Sequence, residues 1–193
     1  MKTVNNRATK YPISDIFLQR YSPRAMSGEK MTEEELMTLF ESARWAPSSN
    51  NSQPWRFIYA MKNTPSFEKF FALLMEGNKI WCKNASVLIV VISKKNFDNG
   101  SLSVTHSFDT GSAWENLALQ ATNMGFVAHG MAGFNYSLAR KELSIPEDYD
   151  VEMMITLGKI GKIEDLPEYL REREKPSDRK PLEEIIFEGQ FKN

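Results

Sequence analysis

Two arginines and a serine stand within five residues at Arg20-Tyr21-Ser22-Pro23-Arg24. Guanidinium forks hold phosphate oxygens through paired, charge-assisted hydrogen bonds, and a hydroxyl adds another donor. The same pattern also describes a solvated basic turn. A second cluster reads Ala46-Pro47-Ser48-Ser49-Asn50-Asn51-Ser52-Gln53-Pro54-Trp55. Its amides and hydroxyls beside a large aromatic suit a planar, hydrogen-bonding ring. They equally suit an amide-rich turn that satisfies its own backbone.

Other chemistries lack their signatures. There is no G-x-G-x-x-G after a strand, no G-x-x-x-x-G-K-[ST] and no G-x-S-x-G. His106 and His129 have no metal-ligand spacing, so no metal site is expected. Cys82 is the only cysteine, which excludes an internal disulfide and marks it as a small packed side chain rather than a redox thiol. Any chemistry is therefore expected to reside in a cofactor.

The chain has 193 residues, 41% of them hydrophobic, and a formal net charge of -1. Those totals suit one soluble, compact domain and argue against disorder. A near-neutral balance gives no broad footprint for nucleic acid or anionic membrane. The start is polar, and Val87 to Ile92, the longest clean apolar run, is far shorter than the roughly 20 residues of a membrane span. A cytoplasmic protein is expected, in keeping with the lone cysteine.

The elements that must position these residues follow from periodicity. Ser14 to Gln19 suggests a short helix or turn. Thr32 and Glu35 form a capping box ahead of a helix whose stripe is Leu36, Leu39, Phe40 and Ala43. Trp55 to Met61 alternates as a strand. A helix follows Thr64, with Pro65 in its first turn and a stripe of Phe67, Phe70, Phe71 and Leu74. Val87 to Ile92 is apolar on both faces and predicts a central strand covered by helices on each side. Thr110 to Met124 predicts a helix ended by Gly125. A strand through Val127 and another from Val151 to Leu157 complete the reading. From Glu164 to Glu184 most residues are charged and prolines interrupt them. That stretch is too polar for a core, yet it ends in Ile185-Ile186-Phe187. An arm that anchors elsewhere and a frayed tail are both consistent with it.

Pro47-Ser48-Ser49-x-Asn51-x-Gln53-Pro54-Trp55, following Arg20-x-Ser22-x-Arg24, strongly resembles the nitroreductase family of FMN enzymes. Gly77-Asn78 with Trp81, Gly111 to Gly125, and His129-Gly130-Met131-Ala132-Gly133-Phe134 resemble that family in the same order. Arg179-Lys180-Pro181-Leu182 matches its C-terminal basic motif. The likeness runs from about Ile16 to Glu188.

The resemblance implies an α+β fold, with a mixed sheet flanked by helices. It implies a homodimer, and one FMN-binding domain over 1–193 whose segment 164–193 extends as an arm onto the partner. Arg20, Tyr21, Ser22 and Arg24 would hold the FMN phosphate, ribityl chain and pyrimidine edge, and Arg179 would join the phosphate contacts. Asn78 would read the pyrimidine. Pro47, Ser48, Ser49 and Asn51 would form a loop contributed across the dimer interface. Gly130, Met131, Ala132 and Gly133 would form the turn whose backbone N–H meets flavin N5, the glycines permitting close approach. The implied activity is ping-pong hydride transfer from NADH or NADPH through FMN to an electron-poor small molecule such as a nitroaromatic or quinone. Flavin reduction and dehalogenation occur in the same superfamily. A non-catalytic FMN-binding or sensing protein is the reading from another class, and NADH or NADPH oxidation with an added acceptor separates the two.

Overall fold

The computed structural model describes residues 2–4 and 7–191. Parts of the polar start and of the expected arm, at residues 1, 5, 6, 192 and 193, lie outside the described residues. An antiparallel pair, β1 (Lys2–Val4) and β2 (Arg7–Thr9), comes first, then α1 (Ile16–Gln19) and α2 (Glu33–Arg44). Next are β3 (Trp55–Met61), α3 (Pro65–Leu73), α4 (Glu76–Cys82) and β4 (Val87–Lys94). The chain continues through α5 (His106–Asn123), β5 (Phe126–Met131), α6 (Tyr136–Glu142), β6 (Tyr149–Lys159) and α7 (Glu168–Arg171).

The main sheet has the order β3-β4-β6-β5, and every pairing in it is antiparallel. The expected mixed sheet is corrected to an antiparallel one among the described residues. Strands β4 and β5 do run the same way, but β6 lies between them. No two parallel neighbours therefore meet.

The expectation for the central strand holds. β4 is paired on both edges and buried from Val87 to Ser93. Val87, Ile89 and Val91 enter one core with Leu36, Leu39 and Leu117, so α2 and α5 cover that face. Leu88, Val90 and Ile92 enter the other with Phe67, Phe70, Trp81 and Phe134, beneath α3 and α4. This two-residue alternation is the pleat expressed as two separate cores. The capping box of α2 is present, with Thr32 accepting from the Glu35 N–H at 3.1 Å and Glu35 accepting in return at 2.7 Å.

Helix α5 starts at His106, a turn before the expected Thr110. Its first turn carries exposed Phe108 and polar neighbours, so no apolar stripe announces it. The helices α4 and α6 were not anticipated; each is seven residues long, too short to show a period.

The segment after β6 corrects another expectation. Leu166 and Leu170 are buried in this chain's own core, four residues apart, with α7 presenting Leu170. The charged stretch therefore packs at its beginning, and the uninterrupted exposed run is 177–191. Gly161 is where β6 leaves the sheet. A Cβ there would stand 2.5 Å from the Met26 carbonyl carbon, and Gly161 N–H donates to the Ala25 carbonyl at 2.9 Å. Only glycine permits that approach, which seats residues 25–27 against the end of β6.

Candidate functional site

A cleft of about 300 Å3 opens between the segment 20–24, strand β5 and the C-terminal segment. Arg20, Tyr21, Ser22, Arg24 and Arg179 all line it, so residues more than 150 positions apart in sequence converge. Arg7, His129, Arg173, Lys175 and Ser177 line it too. The lining carries six cationic side chains and, among the described residues, no carboxylate. Such a surface is a ready site for an anion with several acceptor oxygens.

Several contacts hold the 20–24 segment in place. Arg20 Nη1 donates to Ser22 Oγ at 3.3 Å. Buried Glu174 accepts the N–H groups of Arg24 and Ala25 through Oε1, the latter at 2.7 Å. His129 Nδ1 donates to the Pro23 carbonyl at 3.1 Å, while its ring rests on Trp81 with centroids 4.7 Å apart. Burial lowers the His129 pKa, and the Arg24 charge pushes the same way against the hydrogen bond to Pro23. In its neutral form the ring carries its proton on Nδ1, the nitrogen facing that carbonyl.

Arg7, on β2, escaped the sequence reading because it stands alone in a polar start. It is 6% exposed. Its pKa is lowered by burial first, then by Arg179 and Arg20. Arg173, Glu174 and Lys175 escaped because the charged stretch gives no period to say which residues turn inward. The short helix α7 and buried Leu170 supply that direction.

Asn78 and Gly133 meet directly. Asn78 Nδ2 donates to the Gly133 carbonyl at 2.9 Å, and the Met75 N–H donates to the same oxygen at 3.0 Å. A Cβ on Gly133 would lie 2.6 Å from Asn78 Nδ2, so the glycine makes room for this amide. Gly130 and Met131 belong to β5, ahead of Ala132 and Gly133. A Cβ on Gly130 would stand 2.7 Å from Met153 Cε and 3.3 Å from the Trp114 ring. The room at both glycines is thus taken by side chains of this chain.

Pro47, Ser48, Ser49 and Asn51 do not line the basic cleft. The Ser49 N–H donates to buried Asp109 of α5 at 3.0 Å, and Ser48 Oγ accepts the Gln53 N–H at 3.0 Å. Asn50, Asn51 and Gln53 all have positive φ, at 51, 54 and 46°. Asparagine tolerates that region; for glutamine it is strained. The loop satisfies part of its own backbone and presents the remaining groups at the start of α5.

Cys82 is fully buried, its Sγ 3.5 Å from Met131 Sδ, and burial pushes its thiol pKa up. His106 sits in the first turn of α5, with Nδ1 2.7 Å from Ser93 Oγ and 3.7 Å from Glu152, and Nε2 3.9 Å from Asp150. Among the described residues no group of histidine, cysteine and carboxylate side chains could hold a metal ion.

A model described as the nitroreductase family matches residues 17–80 and 64–159 of this chain. A crystal structure described as an oxidoreductase containing FMN is 46% identical, with a TM-score of 0.96. The match covers 100% of this chain and 99% of that one. A nitroreductase family protein from Clostridium difficile 630 shares the fold at 24% identity and TM-score 0.72, over 94% of this chain and all of that one. An oxygen-insensitive NAD(P)H nitroreductase from Salmonella typhimurium is 45% identical over 49 residues, 25% of this chain and 23% of that protein.

Proposed function

Because the chain belongs to the nitroreductase family, we propose that it is an FMN-dependent oxidoreductase carrying hydride from NADH or NADPH to an electron-poor acceptor. Nitroaromatics and quinones are the acceptor classes, and donor and acceptor take turns at one site in ping-pong order. The observation that carries this reading is the convergence of Arg20, Ser22, Arg24 and Arg179 on one cleft. The FMN-containing structure that this chain matches along its whole length supports the choice of cofactor.

The residues present fit the group. Six cations around one polar cleft suit a terminal phosphate, and the like charges repel one another until an anion is bound. Arg20, Arg24 and Arg179 would hold the phosphate, with Tyr21 and Ser22 beside the chain leading away from it. Bound FMN supplies the two-electron chemistry. The chain contributes position. Asn78 and Gly133 form one hydrogen-bonded unit, so the amide that would read the pyrimidine and the turn 130–133 that would face N5 cannot shift independently. Neutral His129 anchors the phosphate loop to β5 without adding another charge.

We read 1–193 as one FMN-binding domain and its working form as a homodimer. The loop with Pro47, Ser48, Ser49 and Asn51 lies outside this chain's own cleft and would serve the partner's flavin. Exposed Phe17, Trp45 and Phe108 support a large apolar interface. Among the described residues no helix is long and apolar enough to cross a membrane, and the lone buried Cys82 suits the cytoplasm.

Protein purified without denaturant should be yellow, release FMN rather than FAD on unfolding, and oxidise NADH or NADPH when an acceptor is added. A colourless protein that cannot be reconstituted with FMN overturns the reading. Flavin bound without turnover would leave a sensor.

A further inference from the structure

Arg7 belongs to none of the motifs that carry the family resemblance, yet it is among the most enclosed cations of the described residues. Its Nε donates to the Ser177 carbonyl at 2.9 Å. Its Nη1 donates to the carbonyls of Leu18 at 3.0 Å and Arg20 at 2.7 Å. Leu18 is in α1 and Arg20 is its C-cap, so these are helix-end carbonyls that favour a cation. Ser177 belongs to the C-terminal segment, two residues before Arg179.

One planar fork thus ties together the two stretches of chain that carry Arg20 and Arg179. All three acceptors are neutral carbonyls. Burial first, and then the nearby Arg179 and Arg20, work against a charge here and outweigh the opposing influence of Asp178 and Tyr21, so the pKa of the group is lowered. A buried cation beside other cations is retained at a cost to stability. An anion in the cleft would offset that cost.

We propose that Arg7 is a positioning residue of the phosphate cleft, holding the walls that carry Arg20 and Arg179 at the separation a phosphate requires. This inference rests on the FMN reading. It adds the N-terminal strand β2 to a site otherwise built from the 20–24 segment, β5 and the C-terminal segment. Arginine is required because a lysine keeps the charge but cannot direct donors at three carbonyls on two segments.

The test compares FMN with riboflavin, which lacks the phosphate, in titrations of apoprotein for wild type, Arg7→Ala and Arg7→Lys. Both variants should lose about ten-fold or more in FMN affinity, a change of about 1.4 kcal/mol. Their riboflavin affinity should stay at the wild-type level, so the preference for FMN collapses. A role in general stability would lower both flavins together, and that outcome overturns the proposal. Full recovery in Arg7→Lys overturns it as well, because charge alone would then suffice. If Arg7→Ala does not accumulate as folded protein, Arg7→Lys carries the same comparison. Wild type that binds neither flavin would remove the FMN reading itself, and this inference with it.

Discussion

Glu174 receives the backbone N–H of Arg24 through one carboxylate oxygen and faces the Arg24 guanidinium with the other, at 3.7 Å. The side chain is buried, and Ala25 N–H shares its Oε1. A single acid from the C-terminal segment thereby holds the backbone of the 20–24 segment and faces its Arg24 guanidinium.

Substitutions at Glu174 should separate those two roles. Glu174→Ala leaves two backbone donors without their acceptor, and an unsatisfied buried group costs about 1–3 kcal/mol. Glu174→Gln keeps an acceptor oxygen and removes the negative charge from beside the cleft. The glutamine variant should therefore lose less stability in urea unfolding and bind FMN at least as tightly as wild type. Glutamine binding FMN as weakly as alanine would show that the charge, and not the loop path, is what matters.

Arg24→Ala should weaken FMN binding while the far-UV spectrum stays native. Losing a charge-assisted contact to phosphate costs about 1.5–3 kcal/mol, roughly ten- to a hundred-fold in affinity. Some loss of stability is also expected, since Glu174 Oε2 would lose its cationic neighbour. Flavin titration with unchanged affinity would remove Arg24 from the phosphate site.

His129 should make the protein acid-sensitive. Its folded pKa is lowered by burial, so below the unfolded value of 6.5 the unfolded chain takes a proton that the folded chain refuses. Stability is full above that pH and falls as pH drops through the window down to the folded pKa. His129→Asn, which still offers a donor to Pro23, should flatten this part of the profile. Thermal midpoints of the two proteins between about pH 7 and pH 5 measure it. Parallel profiles would mean that other groups control the acid response.

What the sequence made legible is what repeats locally. The capping box at Thr32, the strand Trp55–Met61 and the doubly buried Val87–Ile92 each carry their signal within a few residues. Arg20, Ser22 and Arg24 were visible because they stand together, and a resemblance connected them with Arg179. Arg7 and Glu174 were not visible, because their partners lie 13 and 150 positions away in stretches without periodicity. The pairing directions of the sheet were equally hidden. Whether β6 inserts between β4 and β5 depends on how strands of similar character compete for edges, and no single strand records that.

Residues 177–191 are exposed throughout, and the apolar side chains at their end include Ile186 at 62% and Phe191 at 73% exposure. The Phe187 and Phe191 rings pack against each other, with centroids 4.8 Å apart. Burying Ile185, Ile186 and Phe187 is worth roughly 1.5–3 kcal/mol each before ordering costs, which is enough to matter for association. Phe17, Trp45 and Phe108 are exposed aromatics that a second copy would offer to this end of the chain. Truncation after Pro181 keeps Arg179 and Ser177, and with them the basic cleft, but removes this apolar end. The truncated protein should dissociate at higher concentration than the full chain. It should also hold less FMN, because the loop around Ser48 and Ser49 would no longer be delivered across the interface. Sedimentation at several concentrations, with flavin absorbance followed in the same runs, measures both. A full-length monomer that holds FMN and turns over would refute the shared site while leaving the flavin chemistry standing.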